Sequence, residues 1–233
     1  MILIAILAPV LFASAAGVYC AWELPRRRLG PPPERRPAGE RAPEILVWRG
    51  LELDRRGLFL TGLLCLPLGG GLYLLGLLYY RDTLEYALKL LFCFDVVAAA
   101  AVIDGHSQVI PNRLILAGLA GSACFLLAEI LMGFTAGALL RDAVLGLAMG
   151  GGVFLVCSLI TRGGIGMGDV KLFSILGLLL GWTGVFDLIF FSVLFVAGYG
   201  IVLLLRHRLE RNSQVPIGPF ALAGMAAIML LGV

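Results

Sequence analysis

"GGIGMGDVKL", residues 163–172, breaks two long apolar runs with four glycines, an aspartate and a lysine. Glycine adopts dihedrals that other residues avoid and leaves no side chain between the backbone and whatever approaches it. The break therefore reads as an open turn that delivers Asp169 to the head of a membrane helix. An acid near a membrane interior is costly and calls for a reason. A second break, "IDGHSQVIPNRL" at 103–114, sets Asp104 at the tail of another apolar run. Pro111 cannot continue a helix from the turn before it, and Asn112 reads as the cap of the next one.

The surrounding composition fixes the class. The 233 residues are 60% hydrophobic and 14% charged, with a mean hydropathy of +0.99. Soluble domains carry about 25% charged residues, so an ordinary water-soluble fold is excluded. About 20 apolar residues cross a bilayer. Eight candidate spans follow: 2–22, 57–79, 86–103, 113–133, 138–160, 169–182, 185–205 and 217–232, of which 169–182 is short. Lipid offers backbone groups no partner, so each span is expected to be a helix. The predicted fold is all-α, a polytopic integral membrane protein of about eight transmembrane helices. Its expected divisions are a first transmembrane helix at 1–22, a basic proline-rich cytoplasmic linker at 23–56, and a transmembrane domain at 57–233. Met1-Ile-Leu-Ile is apolar from the start, which favours a retained helix over a cleaved signal. The five cysteines lie in apolar runs without a CxxC pair, so no zinc or redox motif is read.

The linker sets the topology. It holds six prolines between Pro25 and Pro43 and nine arginines (26, 27, 28, 35, 36, 41, 49, 55 and 56). Basic residues concentrate in short cytoplasmic loops. Threading the helices from a cytoplasmic linker puts the breaks at 104–112, 161–168 and 206–216 on the same side, with Arg113, Arg162, Lys171, Arg206, Arg208 and Arg211. Only Arg81, Lys89 and Arg141 fall opposite, and both termini face outward. The anionic inner leaflet accounts for the arginines, and no nucleic-acid partner is implied. Asp104 and Asp169 are thereby predicted on one membrane face.

Two carboxylates at one site suit acid–base hydrolysis: the ionised one takes a proton from water and the protonated one gives a proton to a carbonyl. Like charges this close share a proton, and their titrations belong to the pair. Helix ends suggest a bias, with the anion on Asp169 near an N-terminus and the proton on Asp104 near a C-terminus. Asp54, Asp82, Glu85, Asp142 and Glu210 read as solvated helix ends or loops, while Glu129 and Asp187 lie near the outer surface, where they can snorkel. On these features alone a peptidase and a proton-coupled transporter that relays through the same acids stand level, and a non-catalytic scaffold is a third reading. An aspartate that opens a helix is often only a cap, and glycine turns commonly join membrane helices. No 3+3 or 4+4 internal repeat favours the transporter.

The motifs resemble those of the type IV prepilin peptidases, the bacterial GxGD membrane aspartic peptidases. "GMGDVKL" (166–172) is similar to the family's second catalytic motif, and Asp104 followed by Ile110-Pro111-Asn112 is similar to the first. "VPIGPFALAG" (215–224) is a softer match to a stretch before the last helix. The resemblance implies a leader peptidase with Asp104 and Asp169 catalytic, and with Gly166, Gly168, Lys171, Ile110, Pro111 and Asn112 as motif and substrate loop. For Lys171 it implies an interfacial or motif-stabilising role rather than proton transfer. The implied substrate is a prepilin or pseudopilin with a short basic leader and an apolar helix, cut at the cytoplasmic face of the bacterial inner membrane. Its apolar helix is expected to dock among the membrane helices, and the segment near the cut against the glycine loop at 163–168. Lipid is the other partner, a homo-oligomer is compatible, and neither cofactor nor metal is expected.

Larger relatives place a domain with two CxxC pairs after the first helix and also methylate the product. The cysteine-free linker here, and "AGVYCAWELPRR" in place of an asparagine-bearing "GSFLN", put methylation in doubt. Phe94-Asp95 also resembles the aromatic-Asp motif of presenilin-like proteases, so Asp95 is a competing partner for Asp169. Its place is about 13 Å deeper than Asp104 at 1.5 Å per residue, and the spacing to Ile110 favours Asp104. His106 reads as a solvated loop histidine that neither motif requires.

Overall fold

The computed structural model describes residues 68–80, 83–107, 110–161, 165–205 and 217–232. The first candidate span (2–22), the linker (23–56), residues 57–67, Gly163 and Gly164 of the glycine turn, and the break at 206–216 lie outside the described residues. Among the described residues the secondary structure is helical. The helices are α1 (Leu68–Leu78), α2 (Leu84–Ser107), α3 (Asn112–Leu131), α4 (Ala136–Ile160), α5 (Met167–Leu205) and α6 (Gly218–Leu231). A π-helix over Gly76–Tyr80 overlaps the end of α1. Four of them, α2 to α5, are long and apolar enough to cross a membrane.

The two expected spans 169–182 and 185–205 form one 39-residue run, α5, broken at Gly181, whose φ of 74° and ψ of −177° lie outside the helical region. A left-handed φ favours glycine, and a side chain there would also collide with the Asp142 carboxylate. That carboxylate accepts the Trp182 backbone amide at 3.4 Å, capping the second half of α5. Asp142 is thus a half-buried cap in the second turn of α4, a correction to its expected place as a solvated helix end.

Both halves of α5 lie along α4, and glycine makes the approach possible. Gly146 faces the Gly177 carbonyl and Gly150 the Phe173 carbonyl so closely that a Cβ at either would run into backbone. Without a hydrophobic drive between helices in lipid, such close backbone contact is what holds them together. Phe154 of α4 stacks on Phe173 at 4.0 Å between ring centroids. Val185, beyond the break, also comes within 3.1 Å of a Cβ built on Gly150.

The most buried of the four long helices is α2, enclosed by α1, α3 and α6, with Phe94, Val97, Ile103, Ala221, Met225 and Ile228 sharing one buried core. The outward faces of α3, α4 and α5 expose Leu116, Leu131, Leu159, Ile160 and Leu205. That pattern inverts a soluble surface and suits a lipid surround. Glu129 is buried and paired with Lys89 across α2 and α3 instead of snorkelling outward as expected. The pair lies at the end of the hairpin opposite Asp104.

Candidate functional site

Four helix ends meet at one end of the bundle: the tail of α2 and the heads of α3, α5 and α6. Each carries a segment singled out from sequence. Asp104 sits in the last turn of α2 and Asp169 in the first turn of α5. Both are buried, at 6% and 9% exposure, and lie near enough for the charge on Asp104 to act on Asp169.

Each carboxyl group has one backbone amide. The Gly218 N–H, at the head of α6, donates to Asp104 Oδ2 at 3.1 Å. The Gly166 N–H reaches back to the Asp169 carboxylate, whose other oxygen, Oδ1, is buried without a protein partner. A backbone donor aimed at a carboxylate stabilises its charge without a counter-ion. Because Asp104 has such a donor, the helix-end bias does not by itself decide which carboxyl holds the proton.

The α5 segment is moored on both sides. Gly168 lies against Ile110, whose Cβ is 3.1 Å from where a glycine Cβ would stand. Lys171 Nζ donates to Asn112 Oδ1 at 3.1 Å, across 59 residues of sequence. On the other flank, Ser158 Oγ near the end of α4 donates to the Ile165 carbonyl at 3.0 Å. Asn112 is therefore not the helix cap expected from sequence. Pro111 occupies the cap position, with no side-chain hydrogen bond there. The Asn112 carboxamide turns instead to the α5 segment.

Of the expected residues, the structure gathers Asp104, Asp169, Gly166, Gly168, Lys171, Ile110, Pro111 and Asn112 at this end of the bundle. Asp95 stands apart. Nine residues make about two and a half turns at 3.6 residues per turn, so it occupies the face of α2 opposite Asp104 and Gly218. It is buried, and its Oδ2 lacks a protein partner. The placement of the His106 side chain lies outside the described residues. Two members of the site were given no role of their own from sequence: Gly218, which lay within the softer match at 215–224, and Ser158. The Pro-Ile-Gly-Pro-Phe run at 216–220 was the available signal for the first; a serine in an apolar helix carries none. Among the described residues no group of acidic, histidine or cysteine side chains could hold a metal ion.

Chemically, the site offers two buried oxygen acids close together, each with an amide donor, at one end of a helix bundle. One can accept a proton from water while the other supplies one to a leaving group.

Residues 91–201 match the type IV leader peptidase family. Over 138 residues the chain is 37% identical to the prepilin leader peptidase/N-methyltransferase of Bacillus subtilis, covering 59% of this chain and 53% of that protein. The protein of the same name from Burkholderia pseudomallei is 34% identical over 146 residues, covering 60% and 45% respectively. That from Aeromonas salmonicida is 34% identical over 141 residues, covering 58% and 46%. The chain spans about half the length of these curated relatives. No solved structure matches it. The family read from the two aspartate motifs is the one these comparisons find.

Proposed function

We propose that this chain, whose residues 91–201 match the type IV leader peptidase family, is a membrane-embedded aspartic endopeptidase that removes the short basic leader of prepilins or pseudopilins. The observation that carries the reading is the convergence of Asp104 and Asp169, brought from separate stretches of sequence to one buried site with an amide on each. In the proposed reaction the ionised carboxylate takes a proton from a water held between the pair. The water oxygen attacks the scissile carbonyl carbon while the protonated carboxyl hydrogen-bonds to the carbonyl oxygen. As the C–N bond breaks, a carboxyl proton passes to the leaving amine, and the pair returns to a single shared proton.

The substrate enters with its apolar helix among the membrane helices and its cleavage segment against the glycine turn, where the missing side chains leave the backbone open. The site faces the cytoplasm of a bacterial inner membrane in this reading, since the basic segments 23–56 and 206–211 flank it in sequence. Residues 1–22 supply a first helix, 23–56 a linker, and 57–233 the peptidase unit. Cleavage alone is proposed, because a cysteine-free linker stands where larger relatives carry the additional domain. A transporter relaying protons through the same acids gains no support from Asp95, which lies on the far face of α2.

The test is cleavage of a co-reconstituted prepilin in vesicles of phosphatidylethanolamine and phosphatidylglycerol. Asp104→Asn and Asp169→Asn should each lower the rate by at least about 100-fold, the scale of acid–base catalysis, with the helical circular dichroism of the wild type retained. Full activity in either variant would overturn the assignment.

A further inference from the structure

Among the contacts described, Lys171 to Asn112 is a polar one that joins the two aspartate motifs directly. Lys171 stands two residues after Asp169 and one turn into α5, and Asn112 opens α3 just beyond Pro111, on the segment that follows Asp104. Nothing but apolar packing, Gly168 against Ile110, otherwise connects these segments among the contacts described. Both side chains are exposed at the rim of the site. A hydrogen bond from a charged ammonium makes a modest but measurable contribution to stability, whereas displacing a catalytic group by about 1 Å can cost 100-fold in rate. Two acids that repel when both are charged especially need an outside restraint on their spacing.

We propose that Lys171 and Asn112 are positioning residues, a latch that sets the separation of Asp104 and Asp169. This rests on the peptidase reading of the site. Lysine suits the task because its ammonium donates along three directions on a long stem, and the Asn112 side-chain oxygen is an acceptor within its reach. The latch touches neither the attacking water nor the scissile bond in this scheme. It acts through the backbone of Pro111–Asn112 and the first turn of α5.

The experiment is a double-mutant cycle read two ways on the full chain: prepilin cleavage in the same vesicles, and thermal unfolding in detergent. Lys171→Met and Asn112→Leu should each lower kcat about 10-fold or more with KM within about twofold, the signature of an interaction felt in the transition state. The double variant should be no worse than either single one, and the cycle should show coupling in the unfolding temperature as well. Asn112→Asp, which keeps an acceptor for the ammonium, should hold kcat within about threefold of the wild type. Losses that simply add, a change confined to KM, or Asn112→Asp as impaired as Asn112→Leu would overturn the positioning role. Absence of coupling in unfolding would overturn the contact itself. If the wild type cleaves no prepilin, or Asp169→Asn still cleaves it, the peptidase reading fails and the positioning role with it. The unfolding cycle still decides whether the contact exists.

Discussion

The Gly218 amide donates to Asp104 Oδ2 at 3.1 Å, tying the head of the last helix to the tail of α2 across 114 residues of sequence. The fit leaves no room for a side chain. A Cβ on Gly218 would stand 2.9 Å from the Ala101 Cα and 3.1 Å from both Cβ and Oδ2 of Asp104.

Gly218→Ala is accordingly expected to push α6 away from α2 and to take the amide off the carboxylate. Overpacking of this kind costs about 1–3 kcal/mol, enough to lower the melting temperature measurably. Cleavage should fall further than that stability loss explains. A variant with wild-type melting and wild-type cleavage would show that the amide contact is dispensable.

Asp95→Asn separates the two candidate partners of Asp169. Asp95 is buried on the opposite face of α2 with an unpartnered Oδ2, and the amide keeps its shape. Cleavage should stay within about twofold of the wild type. A loss matching that of Asp104→Asn would move the pair to Asp95.

The glycines of α4 are not equivalent. Gly146 faces the Gly177 carbonyl, whereas a Cβ on Gly152 meets no atom within 4 Å. Gly146→Leu should prevent α4 and α5 from docking and leave little folded protein after detergent extraction. Gly152→Leu should be tolerated or slightly stabilising, since a helix-interior glycine costs roughly 0.5–1 kcal/mol relative to alanine. Similar yields of the two variants on size-exclusion chromatography would contradict the packing described.

The Lys89–Glu129 pair should behave as a buried ion pair, with side chains 13% and 11% exposed. Lys89→Met alone leaves the acid uncompensated and is expected to cost about 3–5 kcal/mol. Lys89→Met with Glu129→Met should recover most of that loss. The measurement is a pair of thermal melts, and a double variant as unstable as the single one would refute the coupling.

Much of this architecture was legible in the chain. Apolar runs of bilayer length located the described helices to within a few residues, since lipid forces internal hydrogen bonding on any spanning segment. The glycine turn and the polar break after Asp104 marked both candidate acids, because polar residues stand out against so apolar a background, and the Asp104–Ile110 spacing counted through its resemblance to the family motif. Less legible were the roles of single polar side chains. Asn112 resembles a cap by type and place, yet its carboxamide serves Lys171. Asp142 resembles a solvated helix-end acid, yet it caps α5 beyond Gly181.

By itself, the sequence determined the class of the protein and the approximate limits of its described helices, which follow from local composition and period, and it marked Asp104 and Asp169 as candidate acids through their resemblance to the family motifs. Tertiary structure alone decided which face of α2 looks toward α5 and α6, and so that Asp104 rather than Asp95 meets Gly218. It also decided where α5 breaks and which partner each polar group takes. Those outcomes depend on backbones approaching closely across tens of residues, at Gly146, Gly150 and Gly218. A glycine that is tightly packed and one that is open carry the same letter in the chain.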